Sequence, residues 1–272
     1  MDLLREKNEM QEWSRAMKRA GKRVALVPTM GSLHAGHLSL VQRAKQLADV
    51  VGDLNKLQPF CVDVVFNPHD LYVRDANQSG TRLLESTTKS LQQAPNETID
   101  DKRELNLKRQ EGGHGHETWV RVEKLELPLC GRSRPGFFRG VATVVTKLFH
   151  IIEPDVALFE RKDYQQWRVI CRMVRDLDFA IEIIGCDLQR EEDGLAMSSR
   201  NVYLSSAERL QALLVKQEIT SASGRVDYIE MSEQESLRPL QFVDCLAVLC
   251  VAAWFGRVRL IDNIELEPSQ PQ

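Results

Sequence analysis

The chain has 272 residues, 43% of them hydrophobic and 28% charged, with a formal net charge of −3. That length supports one large core or two smaller ones. The nearly balanced charge excludes a global basic field for nucleic acid, and the longest apolar run, residues 245–255, is too short to cross a bilayer. No nucleic-acid or membrane partner is expected. The N-terminal stretch MDLLREKNEMQEWSRAMKRAGKR is charged from the start and lacks the apolar centre of a signal peptide. Six cysteines without a CxxC pair read as buried free thiols, in keeping with a cytoplasmic location.

Residues 2–20 carry Leu3, Leu4, Met10, Trp13 and Met17 at helical spacing, and Gly21 ends that helix. VALV at 24–27 reads as a buried parallel strand, closed by Pro28. The pattern is helical again over 33–47, then extended over 49–54 and 61–66, where Asn67-Pro68 breaks it. Residues 73–117 are polar, with few large apolar side chains, and read as a mobile insertion. TWVRV at 118–122 predicts a strand. A helix follows over 140–152, a strand over 156–159, a helix over 165–177 and a strand over 181–184. Strands alternating with helices predict an α/β fold, a Rossmann-like parallel sheet flanked by helices. The tail predicts a helix over 206–218 and strands over 226–231 and 245–253, a smaller α+β domain. The expected domains are 1–186 for the nucleotide-binding unit and 187–272 for a shortened C-terminal unit.

Three motifs carry chemistry. PTMGSLHAGH at 28–37 lies where a strand passes into a helix, and free N–H groups at a helix start suit phosphate. His34 and His37, three apart, share one helical face and can donate to phosphate oxygens; a satisfied surface pair or part of a zinc site also fits the spacing. Lys162, Asp163 and Gln166 follow the strand at 156–159, at the strand end where open α/β sheets bind ligands. There a lysine can meet phosphate, an aspartate can accept from ribose, and a glutamine can both donate and accept. An ordinary solvated helix start fits these residues too. Ser198, Ser199 and Arg200 make a compact anion clamp, or else a capped turn. His114 and His116 in the polar insertion are the further residues a metal site would use.

These segments in this order, with RPGFFRGVATVVTKLF, PDVALF, RMVRDL, EDGLAMSSRN and VAAWFGRVRLIDN, resemble the pantothenate synthetase (pantoate–beta-alanine ligase) family. The family belongs to the nucleotidyltransferase superfamily, whose HxGH and KMSKS-like signatures surround ATP, and MSSR at 197–200 stands in for the latter. The resemblance implies condensation of pantoate with beta-alanine through a pantoyl adenylate, with ATP as substrate, Mg2+ alongside it, and AMP and pyrophosphate released. It implies that His34, His37, Lys162 and Arg200 are the catalytic phosphate contacts. Met30 then lies by the reacting groups, Asp163 binds ribose, Ser198 and Ser199 hold the triphosphate, and Gln166 and Gln58 grip pantoate. A cytoplasmic homodimer is implied as well.

The chain departs from the family at several points. The stretch 52–60 leaves Gln58 as the counterpart of the second pantoate glutamine. Phe137 replaces a histidine, Glu160-Arg161 replaces Gly-Glu, and helical material is missing between 214 and 224. A divergent nucleotide-binding relative with little or no ligase activity is the alternative these departures suggest.

Overall fold

The computed structural model describes residues 2–29, 34–53, 62–68, 71, 116–214 and 225–268. Six short strands form one parallel sheet: β1 (Asp2–Leu4), β2 (Val24–Val27), β3 (Val50–Asp53), β4 (Val64–Phe66), β5 (Val156–Glu160) and β6 (Glu182–Cys186), in the order β1-β4-β3-β2-β5-β6. The chain works outward from β2 through β3 to β4, then returns to lay β5 on the other side of β2. The order therefore reverses between β2 and β5, the crevice where open α/β sheets take ligands.

The residues of β2 and β4 and the first four of β5 are apolar and buried, as strands covered on both faces of a parallel sheet demand, while β1 and β6 at the sheet edges are more exposed. On one face α2 (Ala35–Leu47) sets Leu40, Val41 and Ala44 against Ala25, Val27, Val51, Val156 and Leu158. On the other, α1 (Lys7–Arg19) buries Met10 completely, near Gly52 of β3. The Ser14 hydroxyl of α1 donates to the carbonyl of Ile152, at the end of α4 (Phe137–Ile152). A short helix, α3 (Cys130–Ser133), precedes α4, and α5 (Tyr164–Asp176) joins β5 to β6. A single turn of 3-10 helix, Asn201–Tyr203, leads to α6 (Ser206–Leu214). Three antiparallel strands follow: β7 (Arg225–Glu233), β8 (Ala247–Phe255) and β9 (Val258–Leu266).

The fold class matches the sequence expectation, and several elements correct it. Residues 2–4 are strand rather than helix, because Asp2 N–H donates to the Asp63 carbonyl and the Leu4 carbonyl accepts from Asn67. Residues 118–122 are not a strand, and the Val120 N–H is spent on the Thr143 hydroxyl at 3.0 Å. The strand expected over 61–66 is three residues long, since Asp63 folds back so that its carboxylate accepts from Val51 N–H at 2.8 Å. β9 had no counterpart among the expected strands. Of the described cysteines only Cys130 and Cys250 are buried; Cys171, Cys186 and Cys245 are partly exposed, and all five are free. Cys61, His114, most of the polar insertion and residues 215–224 lie outside the described residues.

Truncating Met10 to alanine empties the space between α1 and the sheet. The expected cost is about 2–5 kcal/mol of stability, measured by urea denaturation. A loss below about 0.5 kcal/mol, the usual size for a surface change, would show that α1 is not part of the core.

Candidate active site

β2 and β5 are neighbours running the same way, so the segments after them emerge side by side. After β2 the chain reaches His34, the N-cap of α2, and His37 one turn on. Their rings stack with centroids 3.9 Å apart, and His37 Nδ1 accepts the His34 backbone N–H at 3.3 Å. Gly36 makes this possible. A methyl group there would sit 2.9 Å from His34 Nδ1, closer than side chains tolerate. After β5 comes a 3-10 turn, Arg161–Asp163, that carries Lys162. The ammonium of Lys162 donates to the Met197 carbonyl at 2.8 Å and faces Glu160 Oε2 at 3.4 Å.

The third segment arrives from the C-terminal part of the chain. Arg200 donates from Nη1 to the Arg259 carbonyl on β9 at 3.0 Å, and Ser198 Oγ accepts the Arg200 N–H at 3.2 Å. Strand β9 also holds the lysine turn, because the Asn263 amide donates to the carbonyls of Arg161 and Lys162 at 2.9 and 3.0 Å. These segments enclose a cavity of about 600 Å³. His34, His37, Lys162, Asp163, Gln166, Ser198, Ser199 and Arg200 all line it. Every sequence-predicted site residue that the structure describes is thus in one place; Met30 and Gln58 lie outside the described residues.

The cavity is cationic without being uniformly so. Burial, then His37 and Lys162, lowers the His34 pKa to about 4; burial and Lys162 do the same to His37. Both imidazoles are therefore neutral at pH 7, and the positive charge lining the cavity belongs to Lys162, Arg134, Arg190, Arg200 and Arg259. Burial and the nearby Arg200 lower the Arg134 pKa, and its guanidinium lies over the Phe137 ring at 3.3 Å. Phe137 thus supplies a π face to the arginine in the position where the family has histidine.

Sequence reasoning missed four residues of this site. Arg134 and Glu160 line the cavity, and so does Arg190, held by a two-pronged pair with Asp262 at 2.8 and 3.0 Å. Gln165, only 4% exposed, donates to the carbonyls of Leu125 and Pro128 at 2.9 and 2.7 Å and so fixes the cavity wall ahead of Leu129 and Cys130. Position next to Gln166 was the one signal that could have marked it. Among the described residues no three His, Cys, Asp or Glu side chains gather as a metal site, so the zinc alternative for the histidines has no support there.

A Rossmann-like parallel sheet with such a cavity at the carboxyl ends of its strands is the α/β ligand-binding class. Within that class the chain belongs to the pantoate-beta-alanine ligase family, whose sequence pattern matches residues 2–265; this places it among the ligases. It is 48% identical to the pantoate–beta-alanine ligase of Oryza sativa subsp. japonica, covering 98% of this chain and 97% of that one. The crystal structure of pantothenate synthetase from Thermus thermophilus superposes with a TM-score of 0.72 at 30% identity, over 98% of this chain and 100% of that one. The pantoate-beta-alanine ligase of Francisella tularensis, solved in complex with beta-gamma ATP and beta-alanine, gives a TM-score of 0.70 at 25% identity, over 97% of each chain.

Two outcomes follow from the histidine pair. Unfolded histidines titrate near 6.5 and these near 4, so unfolding takes up protons between those values. Stability contributed by the neutral rings is complete above pH 6.5 and is lost as pH falls toward 4. Chemical denaturation across that window should show the loss, and a His34→Gln/His37→Gln double variant should lose less. Gly36→Ala should turn the His34 ring and lower kcat/KM by about 10²-fold, the scale of a small misplacement, with the circular dichroism spectrum unchanged.

Proposed function

We propose that the protein joins pantoate to beta-alanine with ATP, through a pantoyl adenylate. In the first step a carboxylate oxygen of pantoate attacks the α-phosphorus, and the bond to the bridging oxygen breaks to release pyrophosphate. In the second the amine of beta-alanine attacks the acyl carbon, loses a proton and expels AMP. The observation that supports this best is the convergence of residues 34–37, 162–166 and 198–200 on one cavity.

Neither step requires a nucleophile from the protein. The requirement is alignment of reactants and neutralisation of charge spreading over phosphate oxygens. Lys162, Arg200 and the neutral N–H donors of His34 and His37 suit that task, with the N-terminus of α2 adding its dipole. Ser198 and Ser199 would hold the triphosphate, Asp163 the ribose hydroxyls, and Gln166 the pantoate; the resemblance adds Met30 and Gln58 to the acid side. Magnesium would be coordinated by phosphate oxygens and water, as it favours where few protein carboxylates are offered, and would shield the phosphates from one another.

The same reading takes the chain as two domains, 1–186 and 187–272, acting as a homodimer in the cytoplasm. Among the described residues no helix is long and apolar enough to cross a membrane.

Purified protein supplied with magnesium ATP should release AMP only when both pantoate and beta-alanine are present. Lys162→Ala should lower kcat by about 10²–10³-fold, the usual cost of one charge-stabilising contact. AMP release independent of either acid, or none at all, would defeat the proposal.

A further inference from the structure

Glu160 ends β5 at the mouth of the lysine turn, and the reaction as described gives it nothing to do. Its side chain is 8% exposed, and that of Lys162 is 10% exposed, with Oε2 of the glutamate 3.4 Å from the ammonium. The other oxygen, Oε1, is buried and has no hydrogen-bond partner, and the same holds for His34 Nδ1. Both atoms border Gly36: a methyl there would lie 3.4 Å from the first and 2.9 Å from the second. The carboxylate therefore pairs with one group proposed to receive phosphate, Lys162, and borders the same glycine as another, His34.

The titratable groups around it come from several neighbouring elements. Lys162 and Asp163 belong to its own turn, His34 to α2 and Cys186 to β6, while Arg161 turns away to Glu265 at 2.9 Å. The Gln189 backbone also favours the charged carboxylate. Burial pushes the Glu160 pKa up, Lys162 opposes that rise, and Asp163 adds to it. A carboxylate and a phosphate cannot both use one ammonium in a partly dry cavity without strong mutual repulsion.

We propose that Glu160 is an affinity-setting residue of the nucleotide site, an internal anion that occupies Lys162 until a phosphate group displaces it. The inference rests on the nucleotide reading given above. When phosphate takes Lys162, the carboxylate loses its counter-charge beside a new anion and takes up a proton. Binding that takes up a proton weakens as pH rises. His34, His37 and the phosphate itself also titrate, but they are the same in a Glu160→Gln variant, so the difference between the two proteins isolates this carboxyl.

The test is calorimetric titration of the intact protein with magnesium ATP, without pantoate, between about pH 6 and pH 8. Glu160→Gln, close in shape, should bind about tenfold tighter at the alkaline end and show a shallower pH dependence. Repeating the wild-type titration in buffers of different ionisation enthalpy should register proton uptake, a readout that needs no variant. Equal affinity and equal pH slope in the two proteins, or no proton uptake by the wild type, would overturn the inference while leaving the nucleotide site standing. Failure of both proteins to bind ATP would overturn the nucleotide reading and the inference with it.

Discussion

The side-chain amide of Asn263 holds the site together. It donates to the carbonyls of Arg161 and Lys162, and so fastens the turn after β5 to strand β9. A turn between a strand and a helix has few partners of its own, and its backbone groups must be satisfied by something. Here the C-terminal sheet satisfies them. Arg161 adds an ion pair to Glu265 two residues further along β9, and Arg200 donates to the Arg259 carbonyl on the same strand. Strand β9 thereby sets the position of two cations that come from segments far apart in sequence. All members of this fastening lie in β9 and in the turns it touches.

The electrostatics of the cavity follow from how tightly these cations are brought together. Arg134, Arg200 and Lys162 line one space, and each makes a further positive charge nearby less favourable. Burial first, with Lys162 beside them, keeps the histidines neutral, and Arg134 rests on the face of Phe137. Donors held in place before a ligand arrives need no reorganisation when charge develops on it. Glu160 offsets part of this positive field. It gives Lys162 a partner inside the cavity that a glycine at the same position could not provide.

The sequence was most legible where a single pattern decides the structure. The apolar runs at β2 and β5 could be placed from composition alone, because strands buried on both faces have no polar alternation to blur them. The clustering of His34, Lys162 and Arg200 was legible from motif order. It was harder to see elements whose identity depends on distant partners. Residues 2–4 become a strand only by pairing with β4, and TWVRV has strand-forming residues but no ladder to join. β9 was overlooked because Arg259, Asp262 and Asn263 interrupt its apolar residues; they are satisfied by Asp227 on β7, by Arg190 and by the turn after β5, partners distant in sequence. Glu160 stood out in sequence only as a departure from the family's glycine, and nothing local reveals its burial.

The hairpin that carries β9 also limits how the chain can vary. Its loop is Gly256-Arg257, with Gly256 at φ +54°, the conformation that a two-residue loop takes with glycine first. A side chain at 256 would also displace Glu208 at the start of α6, whose Oε1 its first carbon would meet at 1.9 Å. That glutamate is already engaged, because its other oxygen accepts from the Ser205 N–H and hydroxyl at 2.8 and 2.7 Å. Mutational tolerance is therefore steep across one peptide bond. Position 256 strongly favours glycine, while the exposed Arg257 beside it is free to drift among side chains as descendants of this chain diverge.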